Sequence, residues 1–340
     1  MRELTLDKLP KRVLRRLDME TAFKASRCVL AAEKLLVFRT LDSRKMSARD
    51  VSRRTGINPT YCEPFLDFLV FLGLLRKQRG LYGNTPLATR HFIRGRSIDW
   101  TRLWPPECIR DYEALTVLED VITGRQTWRE ITGKTRKPDY ELAQEDRQWA
   151  RDFTYALYDL YRPNADLLAA HLDLSRYHTL LDVGGGSGVM SFALVRAFPH
   201  LTACILDFPF VCDAANEIIR KERLTRRVKT LAGDMNKGLP SGFDVIMFWN
   251  IGYVEPGVIA MAYERLPEGG MIVRDCSVPS RSRAGSPSAF LHKYLAVRPK
   301  QESKDSMIES IQASGFRSIR YRRLSSSIGL IVGFKGKARR

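Results

Sequence analysis

From Thr21 to Leu41 apolar residues fall almost all round a helical projection: Phe23, Cys28, Leu30, Ala31, Leu35, Val37 and Phe38. Such a helix is expected to be buried, in its own domain or against a second subunit. The residues before it read as a short basic amphipathic lead-in. Ser47 stands where it can cap a helix running to Arg54, and Gly56 makes the turn. A second helix, Pro59 to Leu72, aims Phe65, Leu66, Phe68, Leu69 and Leu72 at a core. Gly73-Leu74-Leu75 ends it, and two short strands around Arg79-Gly80 complete a winged-helix pattern over Ser47 to Ala88. Residues 95–150 connect: Trp100, Trp104-Pro105-Pro106, Tyr112, Leu115, Leu118 and Val121 predict a helix after a Trp-Pro turn. That helix ends at Gly124, and Gly133 to Pro138 forms a polar loop. Glu141 to His171 reads as one or two helices. Trp149, Phe153, Ala156, Leu157, Leu160, Leu167 and Leu168 recur at helical spacing, as core residues or as the wall of a pocket.

After His171 the pattern changes to short apolar runs alternating with helices. Strands are expected at Leu180 to Val183, Thr202 to Leu206, Val228 to Leu231, Phe243 to Phe248 and Gly270 to Arg274. Helices are expected over Met190 to Phe198, Pro209 to Arg220, Pro256 to Leu266, Ser288 to Val297 and Ser303 to Ser314, with a closing hairpin of Arg317 to Arg322 and Ile328 to Phe334. This alternation predicts an α/β, Rossmann-like domain: a mostly parallel sheet with helices on both faces and a C-terminal antiparallel hairpin. Ligands bind such sheets at the carboxyl ends of the strands. The first strand enters Leu181-Asp182-Val183-Gly184-Gly185-Gly186-Ser187-Gly188, and a helix follows at once. A dinucleotide fingerprint needs G-x-G-x-x-G. Val189 and Ser191 stand where its third glycine would be, and the spacing is Gly184-x-Gly186-x-Gly188. This resembles the cofactor loop of S-adenosylmethionine (SAM) dependent methyltransferases, a cofactor with no pyrophosphate to cradle.

Length and composition narrow the picture. The 340 residues give room for two domains, and a 44% hydrophobic share marks a globular chain. With no apolar run of about 18 residues, no membrane span is expected. No apolar stretch follows the basic N-terminus, so no secretory signal is expected. Cys28, Cys62, Cys108, Cys204, Cys212 and Cys276 are scattered without a C-x-x-C pair. They read as reduced, mostly buried thiols of a cytoplasmic protein, with no metal site. The formal charge of +18 raises nucleic acid, an acidic small molecule or an anionic surface as a partner. Its arginine-rich patches, Lys11 to Arg16, Arg220 to Arg227, Arg317 to Arg323 and Lys335 to Arg340, form no single block. A recognition helix needs basic or amide side chains at base edges. From Gly56 to Leu75 there is no Lys or Arg, and Glu63 and Asp67 are present instead. The sequence therefore argues against DNA recognition.

The predicted strand ends carry the candidate chemistry. Asp207 lies 21 residues after Gly186, where an acidic side chain accepts both hydroxyls of a ribose. Asp234 can take an adenine amino group while Met235 packs on the ring. Asp182 organises the glycine loop.

Together these runs identify a resemblance that covers nearly the whole chain. Residues 150–335 resemble the catalytic domain of the small-molecule O-methyltransferases of the caffeic acid and acetylserotonin type. The matching runs are Leu181 to Gly188, Leu206-Asp207-Phe208-Pro209 and Gly233-Asp234-Met235, with Phe153 to Leu157 like the family's Phe-x-x-x-Met stretch. The resemblance implies a homodimer, in which residues 1–95 dimerise and help close the partner's active site. Residues 96–150 would be a helical linker and pocket wall, and 151–340 the SAM-binding domain. It implies a cofactor site of Gly184, Gly186, Asp207, Asp234 and Met235, with Trp249 near the adenosyl group. It also implies in-line methyl transfer to a small, aromatic or macrocyclic acceptor, held against residues such as Phe153 and Leu157.

One position departs from the family. Its general-base histidine follows the fourth strand in a Leu-His-Asp-Trp type run. This chain reads Trp249-Asn250-Ile251-Gly252-Tyr253-Val254-Glu255, with Tyr253 in the histidine position. A tyrosine with a pKa near 10 is a poor base at neutral pH, though it can donate a hydrogen bond. His292, on a helix that lines the acceptor pocket in the family, is the other candidate base. This pairing resembles the bacteriochlorophyllide C-20 methyltransferases, which methylate a ring carbon. The sequence thus leaves open O-transfer, C-transfer, a SAM-binding member that no longer methylates, and a winged-helix nucleic-acid regulator.

Overall fold

A computed structural model of the chain describes residues 19–93, 115–125, 139–277, 303–325 and 328–336. The chain divides into two compact units, Met1–Tyr112 and Glu113–Arg340.

In the first unit, α1 (Met19–Lys34) and α2 (Val37–Thr40) replace the single helix expected through Leu41. The break is Leu36, held left-handed at φ 59°. Strain at one leucine is offset by burial: beyond the break Val37 and Phe38 are fully enclosed, and Phe38 stacks on Phe92 at 4.4 Å. Burial of this segment is also less complete than its apolar content predicts, for Phe23 is 57% exposed. Then follow β1 (Met46–Ser47), α3 (Ala48–Thr55), α4 (Pro59–Phe71), β2 (Leu75–Gln78), β3 (Leu81–Asn84) and α5 (Pro86–Phe92). Ser47 caps α3 by accepting from Asp50 N at 3.2 Å, and Gly56 ends it at φ 74°. The β2–β3 hairpin turns on Arg79 and Gly80, both at positive φ, as a two-residue turn between right-twisted strands requires. Strand order is β1-β3-β2. Lys77 on β2 reaches both acids of α4, with Nζ 2.9 Å from Glu63 and 2.9 Å from Asp67.

The second unit contains α6 (Leu118–Ile122), α7 (Asp139–Glu145), α8 (Arg147–Ala169), β4 (Thr179–Val183), α9 (Val189–Ala197), β5 (Thr202–Asp207), α10 (Pro209–Lys221) and β6 (Val228–Ala232). It continues through β7 (Val245–Phe248), α11 (Pro256–Arg265), β8 (Met271–Ser277), α12 (Lys304–Ala313), β9 (Arg317–Arg323) and β10 (Ile328–Phe334). The predicted helix over Ser288 to Val297 lies outside the described residues. The sheet order is β6-β5-β4-β7-β8-β10-β9; β6 to β8 run parallel, and β10 is antiparallel to both neighbours. Pairing of β8 continues to Ser277, three residues past the expected Arg274, because β10 supplies a full-length antiparallel partner.

Apolar layers cover both faces of this sheet. One carries Tyr155, Tyr158 and Leu168 of α8 with Phe192 of α9 and Ile218 of α10. The other carries Val258, Ile259 and Ala262 of α11 with Met307 and Ile311 of α12. Central β7 is buried throughout, as a strand covered on both faces must be. The chain leaves β4 for β5 and β6 on one side and returns on the other with β7, so the direction of winding reverses at the carboxyl end of β4.

Candidate active site

That reversal point holds the glycine loop. Gly184, Gly186 and Gly188 all have positive φ, 61°, 55° and 78°. A Cβ on Gly188 would lie 2.3 Å from Ile205 Cδ1, so only glycine lets the loop seat against β5. At Gly186 no described atom lies within 4 Å of where a Cβ would stand. The loop is thus closed against β5 at Gly188 and open at Gly186.

Asp182 packs against the loop at Gly185. Its carboxyl is wholly buried and accepts from Ser191 Oγ at 2.7 Å, and a Cβ on Gly185 would collide with it. Burial pushes its pKa up to about 7, the Asp207 charge adds to the rise, and the Ser191 bond opposes it. It props the loop at Gly185 rather than standing at the open position.

Asp207 ends β5 and faces the loop. Oδ2 accepts from Gly186 N and Oδ1 from Phe208 N, both at 2.8 Å. Burial raises its pKa to about 6 against those two bonds. Each oxygen retains an acceptor site beside the open face of Gly186, a set that fits a vicinal diol. Gly233 N donates to the Asp207 carbonyl at 2.9 Å and carries the chain to Asp234 and Met235, both half-buried. Asp234 holds its turn by accepting from Asn236 N at 2.9 Å, and Met235 packs on the core under β7.

At the end of β7, Trp249 is 6% exposed and joins the core. Asn250 is left-handed at φ 58°, its N donates to Asp275 Oδ1 at 2.8 Å, and its Oδ1 accepts from Tyr161 OH at 3.1 Å. Ile251 then folds back so that its Cδ1 stands 2.9 Å from the Cβ position of Gly184. Tyr253 is half-buried, and its hydroxyl donates to Glu255 Oε2 at 3.3 Å. Phe153 and Leu157 are half-buried on α8, and Phe153 stacks on Trp149 at 4.6 Å. Trp149 itself packs with Phe208 and Phe210, next to Asp207 in the chain. His292 lies outside the described residues.

Glycine loop, Asp207, Asp234 and the β7 end therefore all lie at the carboxyl end of the parallel strands. Tyr161, Asn250, Asp275 and Ser191 were not singled out by sequence reasoning. Only Ser191 left a trace there, as a polar residue within the apolar run of α9.

Comparison with known proteins bears on the whole chain. Residues 115–306 match the O-methyltransferase domain, and residues 17–93 match the O-methyltransferase dimerisation domain. The chain is 29% identical over 266 residues to the 3-hydroxy-5-methyl-1-naphthoate 3-O-methyltransferase of Streptomyces sahachiroi, covering 75% of this chain and 74% of that one. It is 27% identical over 349 residues to the N,N-dimethyltransferase OxyT of Streptomyces rimosus, covering 94% and 95%. Among solved structures, human N-acetylserotonin methyltransferase in complex with SAM superposes with a TM-score of 0.77 at 21% identity, over 96% of this chain and 98% of that one.

Proposed function

The chain belongs to the O-methyltransferase family, and from that premise we propose that it transfers the methyl group of SAM to a small aromatic or macrocyclic acceptor, with oxygen as the receiving atom. The observation that carries this reading is the paired arrangement of Gly186 and Asp207: an open glycine face beside a carboxylate with one free acceptor site on each oxygen. In this reading Asp207 takes the two ribose hydroxyls, and Gly184 and Gly186 let backbone approach the cofactor. Asp234 accepts from the adenine amino group, Met235 packs on the ring, and Trp249 closes the site from the β7 side. Asp182 acts through the loop it supports.

When bound, SAM supplies an electrophilic methyl on a sulfonium, so the protein need not supply a nucleophile of its own. The chain's task is positioning, which in a well-oriented site supplies a large share of the rate. Phe153, Leu157 and Tyr253 wall the acceptor side. A phenol acceptor must also lose its proton, and we assign that to His292, with Tyr253 as hydrogen-bond donor; such a base is worth about 10²–10⁴-fold. Tyr253 in the place of the family's histidine favours a second reading, transfer to a ring carbon. We read residues 1–95 as a winged-helix dimerisation domain, 96–150 as linker and pocket wall, and 151–340 as the catalytic domain of a homodimer. The scattered cysteines, four of them buried free thiols among the described residues, support a cytoplasmic setting.

The test is incubation with methyl-labelled SAM and a panel of hydroxylated aromatic and tetrapyrrole acceptors, with products read by mass spectrometry. Labelled product is expected, and its fragmentation separates oxygen from carbon. Intact SAM binding with no labelled product from any acceptor would favour a member of the family that no longer methylates.

A further inference from the structure

The methyl-transfer reading uses none of the basic run Arg220-Lys221-Glu222-Arg223-Leu224-Thr225-Arg226-Arg227. In the structure this run separates into two sides. On one side the charges are engaged with α8 and α9: Lys221 Nζ donates to Tyr155 OH at 2.9 Å, and Glu222 accepts from Tyr158 OH and from Arg196. The only acid of the run is thereby turned away. On the other side Arg220, Arg223, Arg226 and Arg227, with Leu224 and Thr225, line an open concavity of about 490 Å³. Arg227 donates one bond, from Nη1 to the Pro199 carbonyl at 2.9 Å. The guanidinium groups of Arg220, Arg223 and Arg226 have no partner among the described residues.

The backbone beneath adds a second observation. α10 closes with Leu224 N donating to the Ile219 carbonyl and Arg223 N to the Arg220 carbonyl. This is the glycine-type helix ending, in which the left-handed residue is usually glycine. That residue is Arg223, at φ 57°. Basic residues in the last turn of a helix complement its dipole, which accounts for Arg220 and Lys221. It does not account for Arg223, Arg226 and Arg227 beyond the helix, nor for a strained arginine where glycine would be free of strain.

The concavity lies at the amino end of β5 and β6, where the Arg227 carbonyl accepts from Ala203 N. Asp207 and Ala232 are at the other end of those strands, roughly 15 Å away at about 3.3 Å per residue. The site is therefore separate from the glycine loop. Arginine pairs bidentately with phosphate oxygens, and several uncompensated guanidinium groups around one hollow of this size suit a chain of linked phosphates better than a single anion. We propose that Arg220, Arg223, Arg226 and Arg227 form a second binding site, for an oligophosphate group, either inorganic or carried by a nucleotide.

Calorimetric titration of the full-length protein with inorganic tripolyphosphate and, separately, with ATP, at constant ionic strength set by chloride, tests this. Both probes are expected to bind. Arg226→Ala should weaken tripolyphosphate about tenfold or more while leaving SAM affinity unchanged. Arg223→Gly should weaken it similarly and yet raise the ligand-free melting temperature by about 2–4 °C, because the left-handed position is relieved. Equal affinities for the two probes would mean that the phosphates alone are read. Tighter ATP binding with the same arginine dependence would assign a nucleotide as the source. Binding of neither probe, binding that survives Arg226→Ala, or a short DNA duplex bound through these arginines while tripolyphosphate is not would each overturn the proposal.

Discussion

Asp182 sets the chemistry of the loop without facing its open side, and its burial has a consequence in pH. Its folded pKa of about 7 lies above the ordinary carboxylate value near 3.9. Between those values the folded chain holds a proton that the unfolded chain releases. The stability from this group is full below about pH 4 and is lost as pH rises toward about 7. Asp207, raised to about 6, acts in the same direction. Asp182→Asn should therefore gain stability relative to the wild type as pH rises from about 5 to 7.5. Parallel melting-temperature profiles of the two proteins would contradict this. At the same scale, Gly188→Ala should destabilise the fold by about 1–3 kcal/mol, since it adds left-handed strain to a clash with Ile205; an unchanged denaturation midpoint would remove the argument. For catalysis, His292→Ala should lower single-turnover rates more than Tyr253→Phe, and the reverse order would place the proton chemistry on Tyr253. The placement of Asp207 and Asp234 at the ends of their strands was legible at this scale from the apolar runs that precede them. The link from Tyr161 through Asn250 to Asp275 was not, because it joins residues 89 and 25 apart that no local pattern relates.

Elements were legible where period and punctuation agreed. Pro209 and Pro256 open α10 and α11 as first-turn prolines, and Ser47, Gly56 and Gly73 stand at their predicted ends. The break at Leu36 was not legible, since nothing in Leu35-Leu36-Val37 marks a helix stop and tertiary burial of Val37 and Phe38 imposes it. Nor was the closure of α11 by the last strand. Lys335, following β10, donates from Nζ to the carbonyls of Tyr263 at 2.8 Å and Leu266 at 2.8 Å, and lies 4.8 Å over the Tyr263 ring. It thereby satisfies the carbonyl end of α11 and joins that helix to the hairpin. Lys335→Met should cost about 1–2 kcal/mol. That loss lowers the melting temperature by a few degrees in a domain of this size, with SAM affinity retained. A variant that melts with the wild type would show that water serves those carbonyls as well.

At the scale of the whole molecule, the +18 charge and the first unit's helix-helix-hairpin order pull toward nucleic acid, and the details pull away. α4 carries no Lys or Arg, and Lys77 beside it is ion-paired to both of its acids, so the helix has no surplus of positive charge to offer a duplex. Duplex affinity should fall steeply as salt rises, as a charge effect does, whereas light scattering is expected to give the mass of the proposed homodimer at every salt concentration. A monomer at every concentration would contradict the dimer reading. The parallel character of the sheet was legible from alternating strands and helices, and its antiparallel edge from the short spacing of the last two strands, whereas the strand order is set by tertiary pairing that no local pattern marks. The gathering of Trp149, Phe208 and Phe210 beside Asp207 emerges only when α8 packs on α10.

The most direct test of a SAM site organised by Asp207 is calorimetric binding of SAM to the wild type and to Asp207→Ala, each shown to be folded by its melting curve. Binding by the wild type and a loss of about 10–100-fold in the variant are predicted. No binding by the wild type, or equal affinity in a folded variant, would contradict it.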